Sequence, residues 1–525
     1  MDEIHVSAGG LTVGVAQPPT RVMDELIAAD APTRLYEQDP TLWGEAAVEE
    51  ASIRLGWVDT FKRSRALLPV LAELRDELSD LDHVVLAGMG GSSLAPEVIT
   101  LTTGKPLTVL DTTDPGQVRR ALEDRLLSTI VVVASKSGTT IETDSHRRAY
   151  WQAFLDAGLT EAEAGRHFVV VTDPGSPLGE EGQRMGAFVV QADPDVGGRY
   201  SALTAFGLVP TALAGVDVEE LLDQADSFAP SIASATNNPS LALGAALSQT
   251  SYAALVNDGT GIVGLGDWAE QLIAESTGKQ GKGILPIVAE TPTSPGATGD
   301  GVLTVTMGGS LFPGSVPGGG VRPGASVNGP LGAQFLCWEV ATAFAGRVLG
   351  INPFDQPNVT ESKNNTAAIL SSGLPTEEPA FVEGAIAGYG EGSTLDEAIR
   401  LLVAGAGYIA VMAYLDRFAD EPVAGVREAL ARSTGRPVTF GWGPRFLHST
   451  GQYHKGGPQV AAFLQITGNI GEDLAVPGKP YSFGQLQAAQ AAGDRQALAG
   501  RGRPLLHLHL TDRAEGIKQL LRAVA

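Results

Sequence analysis

Short apolar runs alternate with longer mixed stretches along most of the 525-residue chain. His83–Ala87, Thr129–Ala134, Phe168–Val171 and Ala187–Gln191 are rich in β-branched residues and too short for helices, so they are predicted as strands. Between them lie stretches with helical spacing, such as Glu142–Ala157. A βαβα order predicts an α/β protein whose sheet is parallel and covered by helices on both faces. Ala229–Ser240 holds two prolines and two asparagines among small residues and reads as a linker. The alternation then resumes with strand-like Gly261–Leu265, Val302–Thr306, Ala461–Ile466 and Leu505–Leu510. The expected organisation is a helical N-terminal extension over 1–60 and a first α/β domain over 61–230. A second domain covers 231–525, with insertions and a C-terminal segment. One insertion, Gly308–Pro330, is rich in glycine and proline and reads as a mobile loop, either a lid or a merely disordered loop.

Composition narrows the function. Hydrophobic residues make up 43%, enough for full cores, and the length suits at least two of them. The formal net charge of −24 opposes binding to nucleic acid or anionic membranes, so an anionic ligand needs a local cluster of donors. No apolar run approaches the ~18 residues of a membrane span. The start, Met1-Asp2-Glu3-Ile4-His5, lacks the basic and apolar segments of a signal peptide, so a cytoplasmic protein is expected. The single cysteine, Cys337, lies on an apolar helix face from Gln334 to Trp338 and reads as a core residue.

Two loops carry candidate chemistry. Ser135-Lys136-Ser137-Gly138-Thr139-Thr140 follows a predicted strand and opens a helix. Hydroxyls and free backbone N–H groups at a helix N-terminus make a phosphate cradle, whereas a plain capped turn needs no such density of hydroxyls. Gly88-Met89-Gly90-Gly91-Ser92-Ser93 also follows a strand, and its glycines read as room for a ligand against the backbone. Neither loop has the spacing of a P-loop or a dinucleotide fingerprint.

Together the two loops resemble the sugar isomerase (SIS) domain. Gly197-Gly198-Arg199-Tyr200-Ser201, Glu275-Ser276-Thr277-Gly278-Lys279 and Asp355-Gln356 followed by Lys363 resemble, in order, three motifs of the glucose-6-phosphate isomerase family. The resemblance is nearest to the isomerase half of proteins fused to a transaldolase; without a barrel-like partner here, a stand-alone isomerase is expected. It implies two SIS-type domains, each a mainly parallel sheet flanked by helices. It also implies a homodimer that interconverts glucose 6-phosphate and fructose 6-phosphate in glycolysis and gluconeogenesis, with no cofactor or metal. The partner is a small sugar phosphate, not nucleic acid or membrane. An isomerase also acting on mannose 6-phosphate, or a sugar-phosphate sensor without turnover, uses the same loops.

The implied catalytic set is Glu275, His448, Lys363 and Arg199. The implied substrate-binding set is Gly91, Ser92, Ser135, Ser137, Thr139, Thr140, Gln271 and Gln356. Each fits its chemistry. Glu275, near the end of a helix predicted over Asp267–Thr277 and closed by Gly278, is placed to shuttle a proton, with Gln271 one turn earlier on the same face. Arg199 is a fixed cation for an enediolate, or the partner of Asp193 or Asp195. Gln356 and Lys363, seven apart, share a face if Asp355 and Pro357 start a helix. The plain alternatives are a surface glutamate and a solvated lysine paired with Glu361.

The chain departs from the family in one respect. Ring opening in that family uses a histidine between the glutamate and lysine motifs, but no histidine occurs from Glu275 to Lys363. His448-Ser449-Thr450-Gly451-Gln452 resembles the histidine segment of short bacterial members and lies downstream of Lys363. His448 therefore takes the role, with His454 as its rival, and the family pattern allows it to act across a dimer. His5, His83, His146, His167, His507 and His509 read as structural; the last two share a strand face without further ligands for a metal. Gly468–Asp473 and Pro480–Gln485 resemble segments of the same fused relatives and receive no role.

Overall fold

The computed structural model describes residues 3–257, 261–312, 315 and 320–525. The strands in chain order are β1 (Ile4–Ala8), β2 (Leu11–Val15), β3 (His83–Gly88), β4 (Thr108–Leu110), β5 (Thr129–Ala134), β6 (Phe168–Thr172), β7 (Phe188–Gln191), β8 (Tyr252–Asn257) and β9 (Leu285–Ala289). They continue with β10 (Val302–Met307), β11 (Ala325–Asn328), β12 (Phe381–Glu383), β13 (Ile386–Tyr389), β14 (Tyr408–Tyr414), β15 (Val438–Trp442), β16 (Ala461–Gly468) and β17 (Leu505–Leu510).

The first sheet has the order β4-β3-β5-β6-β7, and every neighbouring pair is parallel. Its strands are apolar on both faces because helices cover both. Val84, Leu86, Val132 and Val171 enter one core with Leu94, Val98 and Leu208. Val85, Val131, Val133 and Val170 enter another with Tyr150, Phe154 and Leu178. Each such side chain contributes about 1.5–3 kcal/mol on burial, so the continuous valine runs fix these strands strongly. The winding reverses between β3 and β5, where Gly88 lies opposite Ala134. The loops after these two strands therefore leave the sheet side by side, at the point where open α/β sheets form their crevice.

The remaining strands form two further sheets, where a single second sheet was expected. One has the order β1-β2-β11-β10-β8-β9, the other β12-β13-β17-β16-β14-β15. Each is parallel except for a hairpin at one edge, β1-β2 or β12-β13, whose inner strand adds antiparallel. The expected helical extension over 1–60 thus opens as strands. Ile4, Val6 and Ala8, then Leu11, Val13 and Val15, alternate with polar or small residues at the strand period, and β2 completes the sheet beside β11. Helices follow only from Thr20.

Gly261–Leu265 is not a strand. Gly261 and Gly264 have φ of 106° and 77°, which breaks extended structure, and Leu265 opens a helix. Part of Gly308–Pro330 is β11, although 313, 314 and 316–319 of that stretch lie outside the described residues. Cys337 is fully buried in the helix Leu331–Leu349, and burial pushes its thiol up to about 12. Among the described residues, no helix is long and apolar enough to cross a membrane.

Candidate active site

A cleft of about 430 Å³ opens at the β3/β5 reversal point. Its lining includes Gly91, Ser92, Ser135, Ser137, Thr140, Arg199, Gln271, Glu275, Gln356, Lys363 and His448. Of the residues expected from sequence, only Thr139 is outside this lining; it borders the two adjoining cavities.

The hydroxyl loop follows β5 directly. Thr140 is the N-cap residue of the helix Ile141–Asp156, but its hydroxyl turns back to Ser135 Oγ at 2.9 Å. Ser137 and Thr139 pair at 2.9 Å, and Gly138 N donates to Ser135 Oγ at 3.2 Å. The first-turn N–H groups of a helix have no intrahelical acceptor, so an anion beside this loop meets them and the positive end of the dipole. Lys136, also in the lining, donates to Asp173 at 2.6 Å.

The glycine loop after β3 lines the cleft and also serves the packing of the protein itself. A Cβ on Gly91 would lie 1.9 Å from the Gly198 carbonyl oxygen, and one on Gly90 would lie 2.6 Å from the His448 carbonyl oxygen. These glycines let the protein's own backbone close in. The Gly198–Tyr200 turn and the histidine turn are drawn against β3 through them.

Arg199 is almost wholly buried and fully engaged. Its Nε donates to Ser276 Oγ at 2.9 Å, and one terminal nitrogen donates to the carbonyls of Pro353 (2.6 Å) and Asp355 (3.0 Å). Its other terminal nitrogen faces Glu275 at 3.3 Å, rather than Asp193 or Asp195, which pair with Arg63. Arg199 therefore holds the loop that presents Gln356 as well as supplying charge. Asp355 does not cap a helix: its side chain accepts from buried Lys279 at 2.6 Å. Burial and the nearby Arg199 push the Lys279 ammonium down to about 8. The helix consequently starts at Thr360, and Gln356 precedes it. Gln356 and Lys363 still reach the same cleft, from a loop and from the helix's first turn. The Lys363 ammonium has no ion-pair or hydrogen-bond partner among the described residues.

Glu275 and Gln271 lie on the helix Leu265–Thr277. Gln271 Nε2 donates to Glu275 Oε2 at 3.1 Å and to the His448 carbonyl at 2.8 Å, while its Oε1 is buried without a partner among the described residues. Buried acceptors are rarely left unpaired, so this oxygen is a ready receiver for a ligand hydroxyl. Gly278 does not close this helix in a left-handed conformation, since its φ is −76°. A Cβ there would lie 2.4 Å from Tyr453 Cα, so close packing requires the glycine.

His448 comes from the same chain as the rest of the cleft. It ends the turn Arg445–His448 after β15, and Arg445 pins that turn to Glu97 (2.6 Å) and Asp111 (3.1 Å) beside the first sheet. His448 Nε2 lies 3.0 Å from Glu142 Oε1. Glu142 was missed by the sequence reading. It is buried in the first helical turn after the hydroxyl loop and also accepts from Gln490 at 2.6 Å. Burial works against its charge, yet His448, its hydrogen bond and Lys363 hold the carboxyl below its usual range. The only hint in the sequence was an acid two residues past Thr140, which reads equally as a helix-dipole partner.

His454 lies in the core instead. Its Nδ1 bonds Tyr408 Oη at 3.0 Å, and burial pushes its imidazole down to about 3. His507 and His509 both reach Thr467, at 2.8 and 2.9 Å, and no cluster of His, Cys, Asp or Glu fit for a metal occurs among the described residues.

The phosphoglucose isomerase family model matches residues 76–274. A probable glucose-6-phosphate isomerase of Haloarcula marismortui is 36% identical over 222 residues, 40% of this chain and 50% of that protein. The chain thus spans about half the length of that relative. The glucose-6-phosphate isomerase of Rubrobacter xylanophilus is 30% identical over 383 residues, 59% of this chain and 87% of that protein. Two solved structures share the fold. The glucose-6-phosphate isomerase of Chlamydia trachomatis superposes with a TM-score of 0.55 at 19% identity, over 70% of this chain and 90% of that one. A hypothetical protein of Thermus thermophilus superposes at 0.56 and 24% identity, over 67% and 96%. The family model stops one residue before Glu275, close to where the motif order begins to differ, while the Rubrobacter alignment spans most of that relative; on that alignment the chain belongs to the phosphoglucose isomerase family.

Proposed function

We propose that this chain interconverts glucose 6-phosphate and fructose 6-phosphate. The observation that carries the reading is one cleft, formed by one chain, in which Glu275, Arg199, Lys363 and His448 converge opposite a hydroxyl-rich helix N-terminus. Ser135, Ser137, Thr139 and Thr140, with Ser92 nearby, hold the phosphate by hydroxyl and backbone donors. Gly91 keeps the Gly198 turn close, and Gln271 and Gln356 orient sugar hydroxyls.

Lys363 gives a proton to the ring oxygen and His448 takes one from the C1 hydroxyl, so that the C1–O5 bond breaks and the open aldehyde forms. Glu275 removes the C2 proton, electrons move onto the carbonyl oxygen, and Arg199 faces the resulting enediolate. A proton passes from O2 to O1, and Glu275 then returns its proton to C1, which gives the ketose with its carbonyl at C2. C1 is reduced as C2 is oxidised within the substrate, so no external oxidant or reductant is needed and no group leaves. The chain acts as a homodimer in the cytoplasm on this reading, which light scattering and fractionation test.

The deciding measurement is turnover of fructose 6-phosphate, and of mannose 6-phosphate, by purified protein with chelator and without nucleotide. Glu275→Gln should abolish turnover and retain binding. Binding of the sugar phosphate by wild-type protein without turnover would replace this reading with that of a sensor.

A further inference from the structure

The helix Phe483–Ala499 packs against the helix that carries Lys363 and reaches Glu142, the partner of His448. It begins at the segment Pro480–Gln485. Ser482 Oγ accepts from Gln485 N at 3.1 Å, and Gln485 Oε1 accepts from Ser482 N at 3.0 Å, a reciprocal cap. Asp473, from the segment Gly468–Asp473, accepts from Gly484 N at 2.9 Å and from the Ser482 hydroxyl. A Cβ on Gly484 would lie 2.8 Å from that carboxylate. The two segments without a role are thus the clamp that fixes where this helix starts.

Two residues one turn apart then project to one side. Gln490 accepts from Thr113 Oγ1 at 2.8 Å and donates to Glu142 Oε1 at 2.6 Å, the same oxygen that faces His448. Asp494 Oδ1 pairs with Lys455 at 2.7 Å and accepts from Ser362 Oγ at 3.2 Å; Ser362 precedes Lys363. All four of Gln490, Asp494, Lys455 and Ser362 are buried. Gly493 lies between the two, and a Cβ there would meet Thr366 N at 2.9 Å, so this helix and the Lys363 helix are in close contact.

We propose that Gln490 and Asp494 are positioning residues for ring opening. Gln490 acts through Glu142 on His448, and Asp494 acts through Ser362 on Lys363. The proposal rests on the isomerase reading above. Its prediction is specific to a step: ring opening suffers, and proton transfer by Glu275 does not.

Anomerisation of glucose 6-phosphate separates the steps, because it needs ring opening and closure but no transfer between C1 and C2. Glu275→Gln should lose isomerisation and keep anomerisation. Gln490→Met should lose both in the same proportion, by about 10–100-fold, with KM within threefold of wild type. The acidic limb of its kcat profile should move to higher pH, because Glu142 loses a donor that favours its charged form. Asp494→Asn should reduce both rates together, and it carries the test if Gln490→Met unfolds. Anomerisation within twofold of wild type in a folded variant, or loss of isomerisation alone, overturns the proposal. Wild-type protein that catalyses neither reaction refutes the isomerase reading itself, a separate outcome.

Discussion

Replacing Glu142 with glutamine tests how the histidine is prepared. An ionised carboxylate only accepts, so His448 Nε2 carries a proton toward Glu142 and Nδ1 is the basic nitrogen. Glutamine keeps the shape but has one acceptor and one donor. Glu142 Oε1 accepts from both Gln490 Nε2 and His448 Nε2, so an amide oxygen in its place still accepts from both and the histidine keeps its tautomer. What is lost is the negative charge that stabilises the imidazolium formed when Nδ1 takes a proton. Loss of a hydrogen bond to a charged group is worth about 1.5–3 kcal/mol. A hydrogen bond to the neutral amide returns about 0.5–1.5 kcal/mol, so the remaining ~1–1.5 kcal/mol predicts a fall in kcat of about 5–12-fold. Steady-state turnover of fructose 6-phosphate reads this, with a melting curve to confirm folding. Glu142→Asp restores the charge but shortens the arm, and should recover part of the rate. Turnover of Glu142→Gln within twofold of wild type would refute a role for this charge.

Three further outcomes follow from the same geometry. Since Glu275 and His448 line one cleft of one chain, mixing inactive Glu275→Gln and His448→Ala proteins should restore no activity; rescue would mean that the histidine reaches across subunits. Arg199→Lys keeps the charge but loses donors to Ser276, Pro353 and Asp355, so denaturant melts should show a loss of about 2–4 kcal/mol along with a fall in turnover. His454 has a folded value pushed down to about 3 from 6.5, so the unfolded chain takes the proton first; its contribution is complete above the unfolded value and is lost as pH falls through it. Between pH 7.5 and 5 that loss is about 2 kcal/mol, and a His454→Gln variant should show a correspondingly flatter stability profile in urea titrations across this range.

The parts of the fold legible in the sequence are those where one local signal acts without competition. β5 and β17 match the expected strands residue for residue: β5 is a β-branched apolar run, and β17 carries leucines at strand spacing around His507 and His509. The hairpin Ile4–Val15 was missed although its alternation is clear, since a short amphipathic pair shows its strand character only when a sheet edge receives it. Asp355 was misread as a helix cap because its local role lost to a buried lysine 76 positions away. Glu142 escaped for a similar reason: its partners, His448 and Gln490, are 306 and 348 positions distant. The glycines at 90 and 91 gave the signal of close approach, and the protein's own backbone is one of the groups that uses it.

The altered order of the histidine and lysine motifs has a physical explanation in this architecture. A crevice at strand ends takes side chains from whichever loops are brought there, and the order of those loops along the chain is free. What is not free is the anchorage of each loop. Here the histidine turn leaves the end of β15, is pinned by Arg445 to Glu97 and Asp111, and lies over Gly90 with its carbonyl held by Gln271. Gln452, four residues on, accepts from Asn358 N at 2.9 Å and donates to the Gly278 carbonyl at 2.9 Å, which ties the same segment to the Gln356 loop and to the end of the Glu275 helix. The ties to Gly90, Gln271, Gly278 and Asn358 join the 445–456 segment to elements that already bound the cleft. A histidine carried downstream of the lysine motif can therefore be fixed as firmly as one carried upstream, provided the ties travel with it.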